Sequence, residues 1–573
     1  MSRHFAGRGM AVIAAAVTLL VASGTAFATV PPVLVSHNPS PYATTGCETL
    51  DNQPGSLSYL NSEVEPQVAV DPTNSSHLVG AWQQDRWSNG GAHGLVAGYS
   101  TNGGASWTVS PQPFSACWQA SGFTNSVNGT YLDYQRASDA WTSIGPGTPA
   151  HPSSGSTVYA SSLSFDQTPY KSDLNATHNA VGAASSYDGG TTWSHVQAII
   201  ADPCVSGTPS GPGYQCNNAK AYLFNDKNSV TADPDPVHAG VAYAVWDRLV
   251  APPASPTGFS HELAYFGPTL LSKTTDFGVT WSTPRIIVGL ASQDQTIGNQ
   301  IVIDPQSGAL YDFFSLIQNH SNAGGNRGYS VAYVKSTDGG ATWTKPSVIA
   351  ALDTAGVSDP NNRNPYTNSP PAPSRTGDII PEPAIDPNTG QLYVVWQDAR
   401  WNNFANDEVA ISTSSDGGTS WSPPERVNSH TGNGTGPPAY DPSVYVNSAG
   451  VVGVSYVQWD NAVSGNEPTI LYIKHSTSAG SSAAGPVFDT ATALDGPFNN
   501  LAAPVARGYF LGDYMGLVAN DSGFIPFYLK TNCADGDSSS TQPSCRAIQS
   551  VLNPTNRDAT GNNSTDVYAA PGS

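Results

Sequence analysis

Charge is scarce in this chain. Only 11% of its 573 residues are charged, and 22 Lys plus Arg stand against 43 Asp plus Glu. A net charge of −21 leaves no basic surface for a phosphate backbone, which excludes nucleic acid as a partner. Long apolar runs are missing after the first 28 residues, so no later segment is expected to cross a membrane. No long segment repeats its apolar residues with a helical period. Cysteine is sparse, and no CxxC or His-rich spacing marks zinc; no metal and no cofactor is expected. What is abundant is turn chemistry: 56 Gly and 46 Pro accompany 25 Tyr and 39% hydrophobic residues. That balance suits short strands joined by tight turns around a large core.

The first 28 residues differ from the rest. Arg3 and Arg8 precede the apolar run AVIAAAVTLLVAS, and AFA ends at Ala28. This pattern predicts a secretory signal peptide over 1–28, with a secreted protein over 29–573. Six cysteines follow, an even number that suits disulfides outside the cell. Cys204 with Cys216, and Cys533 with Cys545, are close in sequence and are expected to pair. Cys47 with Cys117 is left by elimination.

A short stretch recurs. SSYDGGTTWS (185–194) has near-copies in STNGGASWT (100–108), TTDFGVTWS (274–282), STDGGATWT (336–344) and SSDGGTSWS (414–422). The frame is Ser/Thr-x-Asp-x-Gly-x-Ser/Thr-Trp, with Asn102 replacing Asp in the first copy. Asp can accept from backbone N–H groups, Gly supplies a positive φ, and Trp can wedge between units. Each copy reads as a hairpin-turn staple rather than a catalytic motif. Preceding it is a strand–turn–strand pattern, clearest in EPQVAVDPTNSSHLVGAWQQDR (65–86), KNSVTADPDPVHAGVAYAVWDR (227–248) and IPEPAIDPNTGQLYVVWQDAR (380–400). Seven such units can be counted. Four strands per unit, repeated radially, predict an all-β fold, a β-propeller of seven blades. The last unit lacks a strand, and PPVLVS (31–36) is expected to complete it beside DVYAA (566–570). Closure of this kind leaves no open sheet edge.

Aligned on A-x-D-P, the units place Glu65, Asp139, Lys227, Gly298, Ile380, Asp441 and Tyr514 at one inner-strand position. Arg136, Arg375 and Arg507 lie just before inner strands, near Asp139, Asp378 and Asp513. Asp–Arg pairs recur where second strands end, and these read as ties between neighbouring units.

The repeated turn resembles the Asp-box (bacterial neuraminidase repeat) of the sialidase superfamily, and the whole unit resembles that family's propeller blade over roughly residues 60–530. The resemblance implies a single sialidase-like propeller domain over 29–573, with six blades as the alternative count. It implies an exo-glycosidase acting on glycoconjugates, as a monomer, through a nucleophilic Tyr, an Asp acid/base and an Arg cluster on the substrate carboxylate. GDYMGLVANDSGFIPFYL resembles the stretch that carries the family's Tyr, which points to Tyr514. Asp139 and Asp407, the latter in NDEVAIS (406–412), are the candidate acids. Arg136, Arg375, Arg507, Asp513 and Glu65 are the candidate substrate-binding groups. The family's Arg-Ile-Pro has no counterpart, and VEP (64–66) stands in its place. A non-catalytic propeller binding glycan or protein outside the cell is therefore the alternative.

Overall fold

The computed structural model describes residues 31–36, 39–42, 46–47, 57–148, 151–166, 179–202, 222–251, 266–291, 293–318, 328–359, 371–429, 436–459, 468–477, 485–531 and 564–573. The expected leader and Cys204, Cys216, Cys533 and Cys545 lie outside them. Cys47 and Cys117 form a disulfide, the pair reached by elimination.

The architecture is all-β. Among the described residues the longest α-helix is one short turn, Ala116–Ala120, and no helix is long and apolar enough to cross a membrane. The described residues form five four-stranded sheets, one eight-stranded sheet and one three-stranded sheet. Pairing within the repeating units is antiparallel and follows chain order. In one unit, Gln295–Ile303 pairs with Leu310–Gln318, which pairs with Gly328–Ser336, which pairs with Ser347–Ala351. The eight-stranded sheet holds two such runs, one beginning at Ser58–Asp71 and one at Arg136–Thr148, joined where Ala92 pairs with Ala137. Val33–Leu34 pairs with Thr565–Ala569, so the two ends of the chain share a sheet with Gly516–Asn520 and Gly523–Thr531.

Second strands such as Leu392–Asp398 are buried along their whole length. Both faces are covered, and in this strand five apolar residues, LYVVW, follow one another without polar alternation. Fourth strands such as Ser347–Ala351 are mostly exposed. Apolar layers separate successive sheets. Tyr243, Val245 and Leu271 meet Ile301, Leu310 and Phe314; Tyr311, Phe313 and Val331 meet Leu392, Val394 and Trp396. First strands pack side by side in chain order: Ser58–Asp71, Arg136–Thr148, Tyr222–Ala232, Gln295–Ile303, Glu382–Ile385, Ala439–Val446 and Gly516–Asn520. The last of them packs beside the first.

The repeated turn is a staple between sheets. In SSYDGGTTWS, Asp188 accepts from Ser186 Oγ at 2.8 Å, Thr192 N at 2.8 Å and Thr192 Oγ1 at 2.7 Å. The Gly190 N–H returns to Ser186 Oγ at 2.8 Å. Asp276, Asp338 and Asp416 repeat this arrangement. In Asp338 and Asp416 these donors pull the carboxyl down to about 2. The turn's carbonyls then receive donors from the preceding unit. His77 Nε2 lies 3.1 Å from Gly189 O, and Lys273 and Lys335 Nζ each reach 3.2 Å from Gly339 O and Gly417 O. Each of these lysines also lies over a tyrosine of its own unit, Lys273 on Tyr243 and Lys335 on Tyr311. The staples gather where first strands end. Gly103 N, in the first copy, donates to Ser76 O, just past the turn that closes Ser58–Asp71.

Candidate functional site

One irregularity recurs in the first strands. Their registers shift between Val64 and Gln67, Ser138 and Trp141, Asp226 and Ser229, Ile297 and Gln300, and Tyr440 and Ser443. Each shift is a β-bulge. Inside each bulge sits a residue with left-handed backbone: Glu65 (φ 55°), Asp139 (φ 53°), Lys227 (φ 44°), Gly298 (φ 72°) and Asp441 (φ 47°). A left-handed conformation costs a non-glycine residue about 1–2 kcal/mol. Gly298 escapes that cost, and a Cβ there would stand 2.9 Å from Ile380 Cγ2. The four charged residues do not escape it. A bulge re-aims a side chain out of the strand's alternation, and strain held at equivalent points of several strands makes this level the candidate site.

Lys227 is the centre of that level. Its Nζ lies 2.8 Å from Glu65 Oε1, 2.6 Å from Asp513 Oδ2 and 3.8 Å from Asp139 Oδ1. Its backbone N–H donates to Asp139 Oδ2 at 3.0 Å. Arg375 grips Asp513 from the other side with two bonds, 3.1 and 2.6 Å. Gln83 links Arg86 to Glu65, and both Arg86 and Arg375 lie over the Phe510 ring. Tyr514 is 4% exposed. Its ring stands 5.5 Å from Lys227 Nζ and edge-on to Trp141, and its hydroxyl faces Ala140 O at 3.5 Å.

These neighbours split the protonation states. Burial pushes the Glu65 carboxyl up to about 7; Lys227 opposes the rise, while Asp513 and Asp139 add to it. Burial would also raise Asp513, but Arg375 and Lys227 outweigh it and hold this carboxyl well below the usual range. Burial would lower Lys227, but Asp139, Asp513 and Glu65 hold its ammonium charged. Burial lowers the Arg86 guanidinium to about 10, with Arg375 assisting. Burial, then Glu65, Asp139 and Asp513, raise the Tyr514 phenol well above its ordinary value. The site therefore presents an ionised carboxylate, a carboxyl that titrates near neutrality and a neutral phenol around one ammonium. Such divergence is how acid and base roles are divided at one pH.

A second carboxylate group borders it. Asp407 accepts from Ala355 N at 2.7 Å, Thr354 Oγ1 at 2.8 Å and Gln397 Nε2 at 2.9 Å. Thr354 Oγ1 also reaches Asp378 at 3.4 Å. Burial, Asp407 and Asp513 push Asp378 up to about 7. Gln397 Oε1 accepts from Asp441 N at 3.1 Å, which joins this group to the bulged level.

The structure thus brings Glu65, Asp139, Asp513, Arg375 and Tyr514 together, and sets Asp407 beside them. Arg136 lies elsewhere: it is buried over the Trp87 indole and donates to Asn89 Oδ1 at 2.8 Å and to Gly90 O. Arg507 is exposed on the turn before Tyr509–Phe510. Among the described contacts, only Arg375 of the three arginines meets the Lys227 carboxylates. Sequence reasoning placed Lys227 at the shared level without assigning it to the site. It read Arg86 as an inter-unit tie because of the repeated Asp–Arg spacing. Arg248 and Arg400 do form ties, Arg248 to Asp202 and Arg400 to Asp398 and Ala351 O. Arg86 differs because Gln83 precedes it by three residues and hands it to Glu65.

Three solved structures resemble the fold loosely. The α-L-arabinofuranosidase of Fusarium graminearum, bound to an iminosugar inhibitor, is 13% identical over 76% of this chain and 93% of its own, with a TM-score of 0.38. The intramolecular trans-sialidase of Ruminococcus gnavus is 14% identical over 82% and 90%, at 0.35. The Penicillium chrysogenum α-L-arabinanase is 12% identical over 89% and 93%, at 0.38. No family profile and no curated protein matches the chain.

Proposed function

We propose that this chain is a secreted seven-bladed propeller of the Asp-box type, exported by residues 1–28, whose central mouth cleaves a glycosidic bond. One observation carries the reading. Glu65, Asp139, Lys227 and Asp513 come from four different units, far apart in sequence, and meet at one buried point with Tyr514 against them. The blade count is supported by the seven first strands, whose contacts return from the last to the first.

In this reading Tyr514 attacks the anomeric carbon. Its phenol is neutral at rest, so it needs a base at the moment of attack, and Glu65 titrates in the right range to take the proton. Asp139 protonates the leaving oxygen and later activates water. Asp407 and Asp378 supply a second proton reservoir beside the mouth. Lys227 holds Glu65 and Asp513 in register and keeps their protonation states apart.

A second reading is favoured by one feature. Arg375 is already held by Asp513 through two bonds, which suits a preformed binding surface as well as a catalytic one. A glycan array read together with reducing-sugar release separates the two. Hydrolysis with any glycoside class supports the enzyme. Saturable glycan binding without release at any pH supports the binding module and removes the catalytic roles.

A further inference from the structure

Charge and apolar surface are segregated along the first strands. The bulged level carries Glu65, Asp139, Lys227 and Asp441. Nearer the other ends of the same strands, Val70, Thr231, Val302, Ile385 and Tyr445 line a cavity of about 660 Å³. None of these five is fully buried, so the wall is apolar surface left accessible rather than closed core. Its volume falls within the range of about 300–1,000 Å³ typical of small-molecule sites.

The rim is rigid. Pro72, Pro234, Pro305 and Pro387 line it, and each follows an Asp directly. Each of those carboxylates closes its own turn by accepting a backbone N–H, from Thr73 at 2.8 Å, Asp235 at 3.0 Å, Gln306 at 2.9 Å and Asn388 at 2.8 Å. Fixed proline φ angles and closed turns mean that little ordering entropy is lost when the cavity fills.

The rim is also of one sign. No Lys, Arg or His is among the described residues that line the cavity, whereas Asp71 and Asp521 are. His77 lies 3.0 Å from the Asp71 carboxylate and accounts for it. Among the described residues, Asp521 meets a neutral partner, accepting from Ser75 Oγ at 2.7 Å. An apolar wall with an aromatic ring, a rigid mouth and uncompensated negative charge describes one ligand chemistry.

We propose that this cavity binds a small organic cation, an aryl- or alkylamine, with its apolar body against Val302, Ile385 and Tyr445 and its ammonium toward Asp521. The site is separate from the charged level above it and does not depend on glycan cleavage there.

Titration of the full secreted chain with a dansylated alkylamine, its N-acetylated neutral form and an anionic anilinonaphthalene sulfonate tests this. The expected result is saturable one-to-one binding of the amine, at least ten-fold tighter than either comparator. Val302→Arg places bulk and positive charge on the wall and should weaken the amine at least ten-fold. Should that variant not fold, Asp521→Asn is the substitute. Asp521 is exposed, and its change should weaken the amine about three-fold or more while leaving the acetylated form unaffected. Unsaturable binding, equal affinity for the amine and the sulfonate, or binding unchanged in the folded Val302→Arg and Asp521→Asn variants would overturn the proposal. So would amine displacement by self-association of the chain, which would give the cavity to a second copy instead.

Discussion

Glu65→Gln removes one titration and keeps nearly the same shape. The carboxyl is 1% exposed and sits at about 7 in the folded chain, against an ordinary 4.5. Between those two values the native chain holds a proton that the unfolded chain has released. Folding stability therefore falls as pH rises through that window, because the native state binds more protons. The gap, at about 1.4 kcal/mol per pH unit, amounts to about 3 kcal/mol. Asp378 and Glu382, raised mainly by burial to about 7 and about 8, act in the same direction in both proteins and cancel in the comparison. Urea unfolding of wild type and variant at pH 4.5, 5.5, 6.5 and 7.5 reads the effect. The variant should gain about 3 kcal/mol relative to wild type between pH 4.5 and 7.5. A difference that stays constant across those pH values would refute the assignment of the raised carboxyl to Glu65.

Asp188→Ala should lower stability by about 1 kcal/mol or somewhat more, through loss of its turn bonds, with ligand affinity at the mouth unchanged; chemical denaturation and a binding titration check both halves. Tyr514→Phe removes a hydroxyl whose described contact is one carbonyl at 3.5 Å, so the melting temperature should hold while any hydrolysis is lost. Replacing Cys47 and Cys117 together by Ser opens a loop of sequence separation 70 and should cost about 4 kcal/mol on the chain-entropy account; an unchanged unfolding midpoint would show that local packing, and not the bond, orders this region.

The depth of residues along the first strands was legible because the repeat is a count. Aligning on A-x-D-P put Glu65, Asp139, Lys227, Gly298 and Asp441 at one level, and all five prove to be left-handed bulge residues. Ile380 and Tyr514 shared the alignment but precede shorter strands without that backbone. The count carries depth but not direction. Arg136 precedes its bulge by three residues, yet its side chain runs to Trp87 and the loop at Asn89–Gly90. Of the residues outside the repeat, Arg375 was legible as a candidate, but those that hold the site in place were not. Thr354 and Ala355 fix Asp407 from a connection whose sequence shares nothing with the units, and Phe510, which supports both Arg86 and Arg375, lies in a short strand that pairs with Ala372–Arg375, far away in the sequence.

The central claim is that the Lys227-centred cluster cleaves glycosidic bonds with Glu65 as its titrating base. The most direct measurement is reducing-sugar release from a panel of neutral and acidic glycosides between pH 4 and 9, for wild type and Glu65→Gln. The account predicts wild-type turnover that rises as pH passes through about 7, as Glu65 becomes able to take the Tyr514 proton, and a variant that folds but has lost that rise together with most of its rate. Absence of release from every glycoside, or a variant with the wild-type rate and pH profile, would contradict it.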